Sequence, residues 1–189
     1  LLLGTVAMAD TITVGPSGDF STISEAILAG SDGDTIEVDP GTYEEHIDFN
    51  GKSITVRATG DRESTIISGD GSGTVTANSG ETRGSQLIGF TIRGGNHTCI
   101  TVENASLRFA DLAIEDCGMS TTPTGGGVHI SGGAPTFDDV MFRRNQAIAG
   151  GAVYIGTEEE VTFDNCAFED NTGEKGGAIY LANAEVTFE

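Results

Sequence analysis

Phe142-Arg143-Arg144-Asn145, then Gly150-Gly151-Ala152-Val153-Tyr154-Ile155, returns as Phe168-Glu169-Asp170-Asn171, then Gly176-Gly177-Ala178-Ile179-Tyr180-Leu181. Both parts of the pattern recur at an offset of 26 residues. A fixed period of this size marks a solenoid, in which each unit buries its apolar face only against its neighbours. The units are short strand-like runs separated by Gly, Asn and Asp, so the repeat is a strand coil. The last residues, Val186-Thr187-Phe188-Glu189, read as mid-strand with no capping element after them. The expectation is therefore that further coils of the same chain follow.

Alignment on the double glycines gives four apolar columns. They are Ile100/Val128/Val153/Ile179, Val102/Ile130/Ile155/Leu181, Phe109/Phe137/Phe163/Phe188 and Ile92/Ile114/Phe142/Phe168. In a parallel coil, like positions stack about 4.8 Å apart, so these columns should fill the interior. Asp111, Asp139 and Asn165 fall in register at one bend, where Asn and Asp tolerate a left-handed backbone. Asn145 and Asn171, with Cys117 equivalent, are expected at a second. All are read as structural, because stacked amides can hydrogen-bond along a ladder.

Composition narrows the class. Gly is 28 of 189 residues and Pro only 4, which excludes a collagen-like or Pro-rich chain. Apolar residues are 37% and regularly spaced, which argues against disorder. The net charge is −20 with only 9 Lys and Arg, so nucleic acid and anionic lipid are not expected partners. The same charge repels polyuronates unless a divalent cation bridges the two. Ca²⁺ suits such a chain, but no specific cluster marks a site for it, and no cofactor is expected.

The chain opens Leu1-Leu2-Leu3-Gly4-Thr5-Val6-Ala7-Met8-Ala9, an apolar run ending in Ala-x-Ala. Residues 1–9 are read as a signal-peptide remnant and residues 10–189 as one domain, destined for secretion or the cell surface. No run is long and apolar enough to span a bilayer as a helix. The three cysteines, Cys99, Cys117 and Cys166, lack a CxxC spacing, which argues against zinc. Cys166 reads as a small buried hydrophobe in the column of Leu112 and Val140, and the spacing gives little support to a Cys99–Cys117 pair.

Near the N-terminus, residues 19–30 predict a helix with Ser21 as N-cap and Gly30 as its stop. The sequence Gly33-Asp34-Thr35-Ile36-Glu37-Val38-Asp39-Pro40-Gly41-Thr42-Tyr43-Glu44-Glu45 follows. This stretch resembles the N-terminal segment of pectate-lyase-like right-handed parallel β-helix proteins. The resemblance implies an all-β, right-handed, single-stranded parallel β-helix whose short N-terminal helix caps the first coil. The later Phe-x-x-Asn and Gly-Gly-Ala-[Ile/Val] tetrapeptides resemble the repeats of polymorphic outer-membrane proteins, which implies a surface protein or adhesin. Calcium-dependent pectate lyases carry several Asp on the outward face of one sheet. The corresponding column here is Thr101, His129, Tyr154 and Tyr180, a departure that argues against such a site.

That outward column is the candidate ligand face. Side chains alternate along a strand, so His129, Tyr154 and Tyr180 should point out. Beside them the small residues Cys99, Gly127, Ala152 and Ala178 are candidates for the floor of a shallow groove for sugar rings. Glu115/Arg143/Glu169 and Asp116/Arg144/Asp170 alternate in sign between coils and read as salt bridges. A lyase would instead use Arg143 or Arg144 as a base. Glu44, Glu45 and His46 form a cluster read as an exposed edge of the first coil rather than an acid/base site. The first functional reading is a binding or structural module contacting polysaccharide or a cell-surface glycan. The alternative is a polysaccharide lyase or glycoside hydrolase with its active site partly in further coils.

Overall fold

The computed structural model describes residues 9–69, 71 and 73–189. The leader reading covers residues 1–9, of which 1–8 lie outside the described residues. The rest of the chain winds as a parallel β-solenoid with one helix, Ile23–Ala29. Each coil visits three sheets in turn. Sheet A has eight strands: Thr11–Val14, Thr35–Val38, Thr55–Ala58, Gln86–Ile88, Arg108–Ala110, Thr136–Asp138, Val161–Asp164 and Val186–Phe188. Sheet B has six, from Gly41–Glu44 to Ala167–Glu169, and sheet C six, from Ile47–Asp48 to Ile179–Leu181. Every pairing between consecutive coils is parallel, for example Phe109 with Phe137 and Phe137 with Phe163.

All four expected columns form, with the register read from the sequence. The Phe column is a stack of rings: Phe109–Phe137 centroids lie 5.1 Å apart, Phe137–Phe163 5.0 Å and Phe163–Phe188 5.5 Å. Phe142 stacks on Phe168 at 4.7 Å and meets Phe137 and Phe163 edge-on. Each fully buried Phe contributes about 2–3 kcal/mol by area. Toward the N-terminus the same sheet A column continues as Leu87, Val56, Ile36 and Ile12.

The bends follow local chemistry. Asp111, Asp139 and Asn165 hold φ of 49°, 54° and 48°, as their side chains allow. Gly89 occupies the same bend one coil earlier at φ 85°. It divides the run Leu87–Ile92, which reads as one strand in sequence, into strands on two sheets. At the second bend the left-handed residues are Asp116, Arg144 and Asp170, one position before the Asn column. The Asn side chains instead hydrogen-bond to the preceding coil. Asn145 Oδ1 accepts from Cys117 N (3.2 Å), and its Nδ2 donates to Ile114 O (2.8 Å) and Asn171 Oδ1 (3.0 Å). Asn171 repeats the pattern, accepting from Asn145 N and donating to Phe142 O.

Three local expectations need correction. The helix N-cap is Thr22, not Ser21: Thr22 Oγ1 accepts from Glu25 N (3.3 Å) and donates to the Glu25 carboxylate (2.9 Å). Gly30 ends the helix as expected, at φ −66°, and Lys52 Nζ takes the free carbonyls of Ile27, Leu28 and Gly30 at 2.7–2.8 Å. Cys99 and Cys117 are joined by a disulfide closing a separation of 18 residues, and both are fully buried. Such a bond suits an oxidising, extracellular-type compartment. Cys166 is half-buried, because the coil beyond it covers sheet A alone. Burial still pushes its thiol up to about 11, which keeps it unreactive.

The helix lays Ile23, Ala26 and Ile27 over the first coil, all without exposure. It thereby covers the edge the solenoid would otherwise present at this end. Among the described residues no helix is long and apolar enough to cross a membrane.

Candidate functional site

Sheet C carries the outward column. Its parallel register places Asp48, Thr76, Thr101, His129, Tyr154 and Tyr180 one above another along the solenoid axis. From Thr76 onward each is half-buried, its outer edge open to solvent. The predicted residues His129, Tyr154 and Tyr180 are therefore brought together. His129 and Tyr154 stack with centroids 5.0 Å apart and an interplanar angle of 1°. Tyr154 and Tyr180 follow at 5.7 Å and 16°.

This geometry changes what the aromatic row offers. Face-to-face stacking between coils turns ring faces toward one another and presents ring edges at the surface, with the Tyr154 ring and its hydroxyl leaning over Gly156. Of the groove floor expected from Cys99, Gly127, Ala152 and Ala178, the first three are buried in the interior and only Ala178 is half-buried, so no continuous floor forms. Space for the rings comes from Gly156, two residues beyond Tyr154 on the same face. A Cβ there would fall 2.9 Å from Tyr154 Cε1. That glycine was not singled out in sequence, although the i, i+2 rule of a strand could have found it.

Thr124 also escaped the sequence reading. Its Oγ1 lies 2.9 Å from His129 Nδ1, five residues away. The loop bearing Thr124 is tied down by Thr98, whose hydroxyl donates to Thr124 O (3.2 Å) and Gly125 O (2.7 Å). Desolvation by burial lowers the proton affinity of His129, with Glu103 opposing it, so the imidazole is neutral at neutral pH.

On sheet B, Arg143 pairs with Glu115, and Arg144 bridges Glu115 (3.1 Å) and Asp116 (2.8 Å). Both arginines thus turn to the acidic residues of the preceding coil; ion pairs to Glu169 or Asp170 are not formed. The hydrogen bond with Asp116 drives Arg144 further up and holds Asp116 below the usual carboxylate range. A guanidinium fixed as a cation is the opposite of a lyase base, so the salt-bridge reading holds. A separate strap is formed by Arg62, which reaches along the axis to Asp111 Oδ1 (3.1 Å), Asp139 O (3.2 Å) and Leu112 O (3.4 Å). It passes the coil of Gly89, which has no side chain there.

The Glu44-Glu45-His46 cluster is structural. Glu45 accepts hydrogen bonds from Ile23 N (2.9 Å) and Ser24 N (2.8 Å) at the start of the helix. A shallow cleft of about 350 Å³ lies beside it, lined by Pro16, Pro40, Tyr43 and Glu44 among others. Tyr43 donates its hydroxyl to Asp39 O (2.8 Å). Among the described residues no three His, Cys, Asp or Glu side chains are grouped as metal ligands.

Residues 65–189 match a family model described as the right handed beta helix region, well over half of the chain. The chain belongs to the right-handed β-helix family. In overall shape this β-helix is similar to solved pectin methylesterases, which agrees with the pectate-lyase-like resemblance at the level of fold. PemA from Erwinia chrysanthemi aligns with a TM-score of 0.66 at 15% identity, covering 97% of this chain and 67% of that one. A mutant pectin methylesterase solved in complex with a hexasaccharide gives 0.58 at 16%, covering 86% and 67%. The Aspergillus niger enzyme gives 0.57 at 18%, covering 97% and 68%. No curated protein matches the β-helix in sequence.

Proposed function

We propose that this β-helix is an extracellular or surface-displayed glycan-binding module whose contact face is the outward column of sheet C. The observation carrying the reading is the in-register row Thr76, Thr101, His129, Tyr154 and Tyr180. It is a straight line of polar tips repeated at the rung spacing, about 4.8 Å. That step is close to what one pyranose adds to an extended chain. Fold likeness to pectin methylesterases, one of them solved with a hexasaccharide, supports a carbohydrate partner. The buried disulfide supports the extracellular part of the reading. A glycan array tests it. Binding to at least one polysaccharide class, lost in the Tyr154→Ala/Tyr180→Ala double variant, is expected. Binding unchanged in that variant would reject the face.

A second reading is a polysaccharide-modifying enzyme, favoured by the likeness to pectin methylesterases across 97% of the chain. It predicts release of methanol from esterified pectin, or new reducing ends or unsaturated products from a polysaccharide. A module predicts binding with no product.

A further inference from the structure

The charge along the strip narrows the ligand class, given the reading of sheet C as the contact face. Thr76, Thr101, Tyr154 and Tyr180 offer hydroxyl groups, and desolvation of half-buried His129 favours its neutral form. Two acids stand close to the strip: Asp48 continues the column below Thr76, and Glu103 lies near enough to act on His129. Whole-chain charge is −20. A polyanion approaching this face meets like charge at long range, with no cation in the row to compensate. The stacking decides how contact is made. Tyr154 is stacked on both faces and His129 and Tyr180 on the face toward it, so a ligand approaching from the side meets ring edges and threonine hydroxyls, with hydrogen-bonding groups among them.

We infer that the strip binds an uncharged glycan, a neutral or fully esterified polysaccharide strand lying along the solenoid axis, and reads it edge-on through hydroxyl hydrogen bonds. Each coil offers one polar tip per sugar. Thr124 serves as a positioning residue, since its contact with Nδ1 fixes the His129 ring parallel to Tyr154.

The test is titration calorimetry of the whole chain against a neutral galactan, a glucan, fully methyl-esterified homogalacturonan and its de-esterified acid, at low and high salt and with and without Ca²⁺. The expected result is binding of an uncharged polymer at least about tenfold tighter than the acid, an energy difference of about 1.4 kcal/mol. Its affinity should not change with salt. The Tyr154→Phe/Tyr180→Phe variant keeps the ring stack and the fold, checked by thermal melting, yet should lose about tenfold in affinity with the phenol oxygens. Thr124→Val should weaken binding less and alter the ¹⁵N shifts of the His129 ring. Preference for the acid, with or without Ca²⁺, would overturn the inference while leaving a glycan-binding face standing. Full affinity in the double Phe variant would overturn edge-on reading. Failure of every polymer to bind would overturn both this inference and the function it rests on.

Discussion

The first coils and the last are held by different kinds of contact. From Phe109 onward the coils are built of like on like: Phe on Phe inside sheet A, Asn on Asn at the bend, and His and Tyr in a row on the outer face of sheet C. Toward the N-terminus the sheet A column is aliphatic, Phe49 and Phe90 are buried outside it, and the specific contacts occur once each. Lys52 clasps three carbonyls at the helix end, and Glu45 takes two amides at its start. Asp34 accepts from Asp10 N and Ser31 N, and Glu81 from Gly51 N and Ser79 N. A repeating ladder is stabilised by neighbours on both sides. A terminal coil lacks a neighbour on one side, and individual charged side chains satisfy the backbone groups left over.

The sharpest way to break the comparison is to cut the ladder in its middle and at its rim. Phe137→Ala should cost about 3–5 kcal/mol, since the ring is fully buried between two others. Ile12→Ala, at the N-terminal end of the same column and only half-buried, should cost about 1 kcal/mol, measured by denaturant melts on both variants. Equal losses would mean that stacking is not what carries the C-terminal coils.

Next in size is the disulfide. Replacing Cys99 and Cys117 with Ala should lower stability by about 3 kcal/mol, from the 18-residue separation it closes. Because both sulfurs are buried, native protein should resist mild reductant, which a thiol-labelling time course would show.

Asn145→Ala should cost about 1–3 kcal/mol by stranding Cys117 N and Ile114 O. Asn171→Ala should cost less, because Asn171 is half-buried. Paired melts of the two variants check the ordering.

The smallest effect concerns the N-terminal clasp and acid. Hydrogen bonds from Asp10 N and Ser31 N hold Asp34 below the usual carboxylate range. Its contribution is complete above the unfolded value of about 3.9 and is lost as pH falls through the lower folded value. Melting temperature against pH should therefore drop on the acid side, and Asp34→Asn should flatten that limb.

What was legible in the sequence follows the same division. The columns could be read because Phe137, Phe163 and their equivalents recur at nearly constant spacing, and burial forces that recurrence. Helix and outward row were also legible, from 3.6-residue and two-residue periods. The Cys99–Cys117 bond was not, since it joins two different columns within one coil and no neighbouring coil repeats it. Lys52, Glu45 and Arg62 escaped for a similar reason: each reaches a backbone or side-chain partner far away in sequence and has no repeat to betray it. Spacing placed His129, Tyr154 and Tyr180 together but said nothing of ring orientation, which turns a stacking platform into a row of edges. Gly156 and Thr124, which set that orientation, are short-range features hidden among many glycines and threonines.

Nuclear Overhauser contacts among the three sheet C rings test the account most directly, because register and ligand face both depend on them. Cross-peaks are predicted between the His129 and Tyr154 rings and between the Tyr154 and Tyr180 rings, with none between His129 and Tyr180. Contacts that skip a coil, or a Tyr154 ring showing none to either neighbour, would contradict the register and remove the strip built on it.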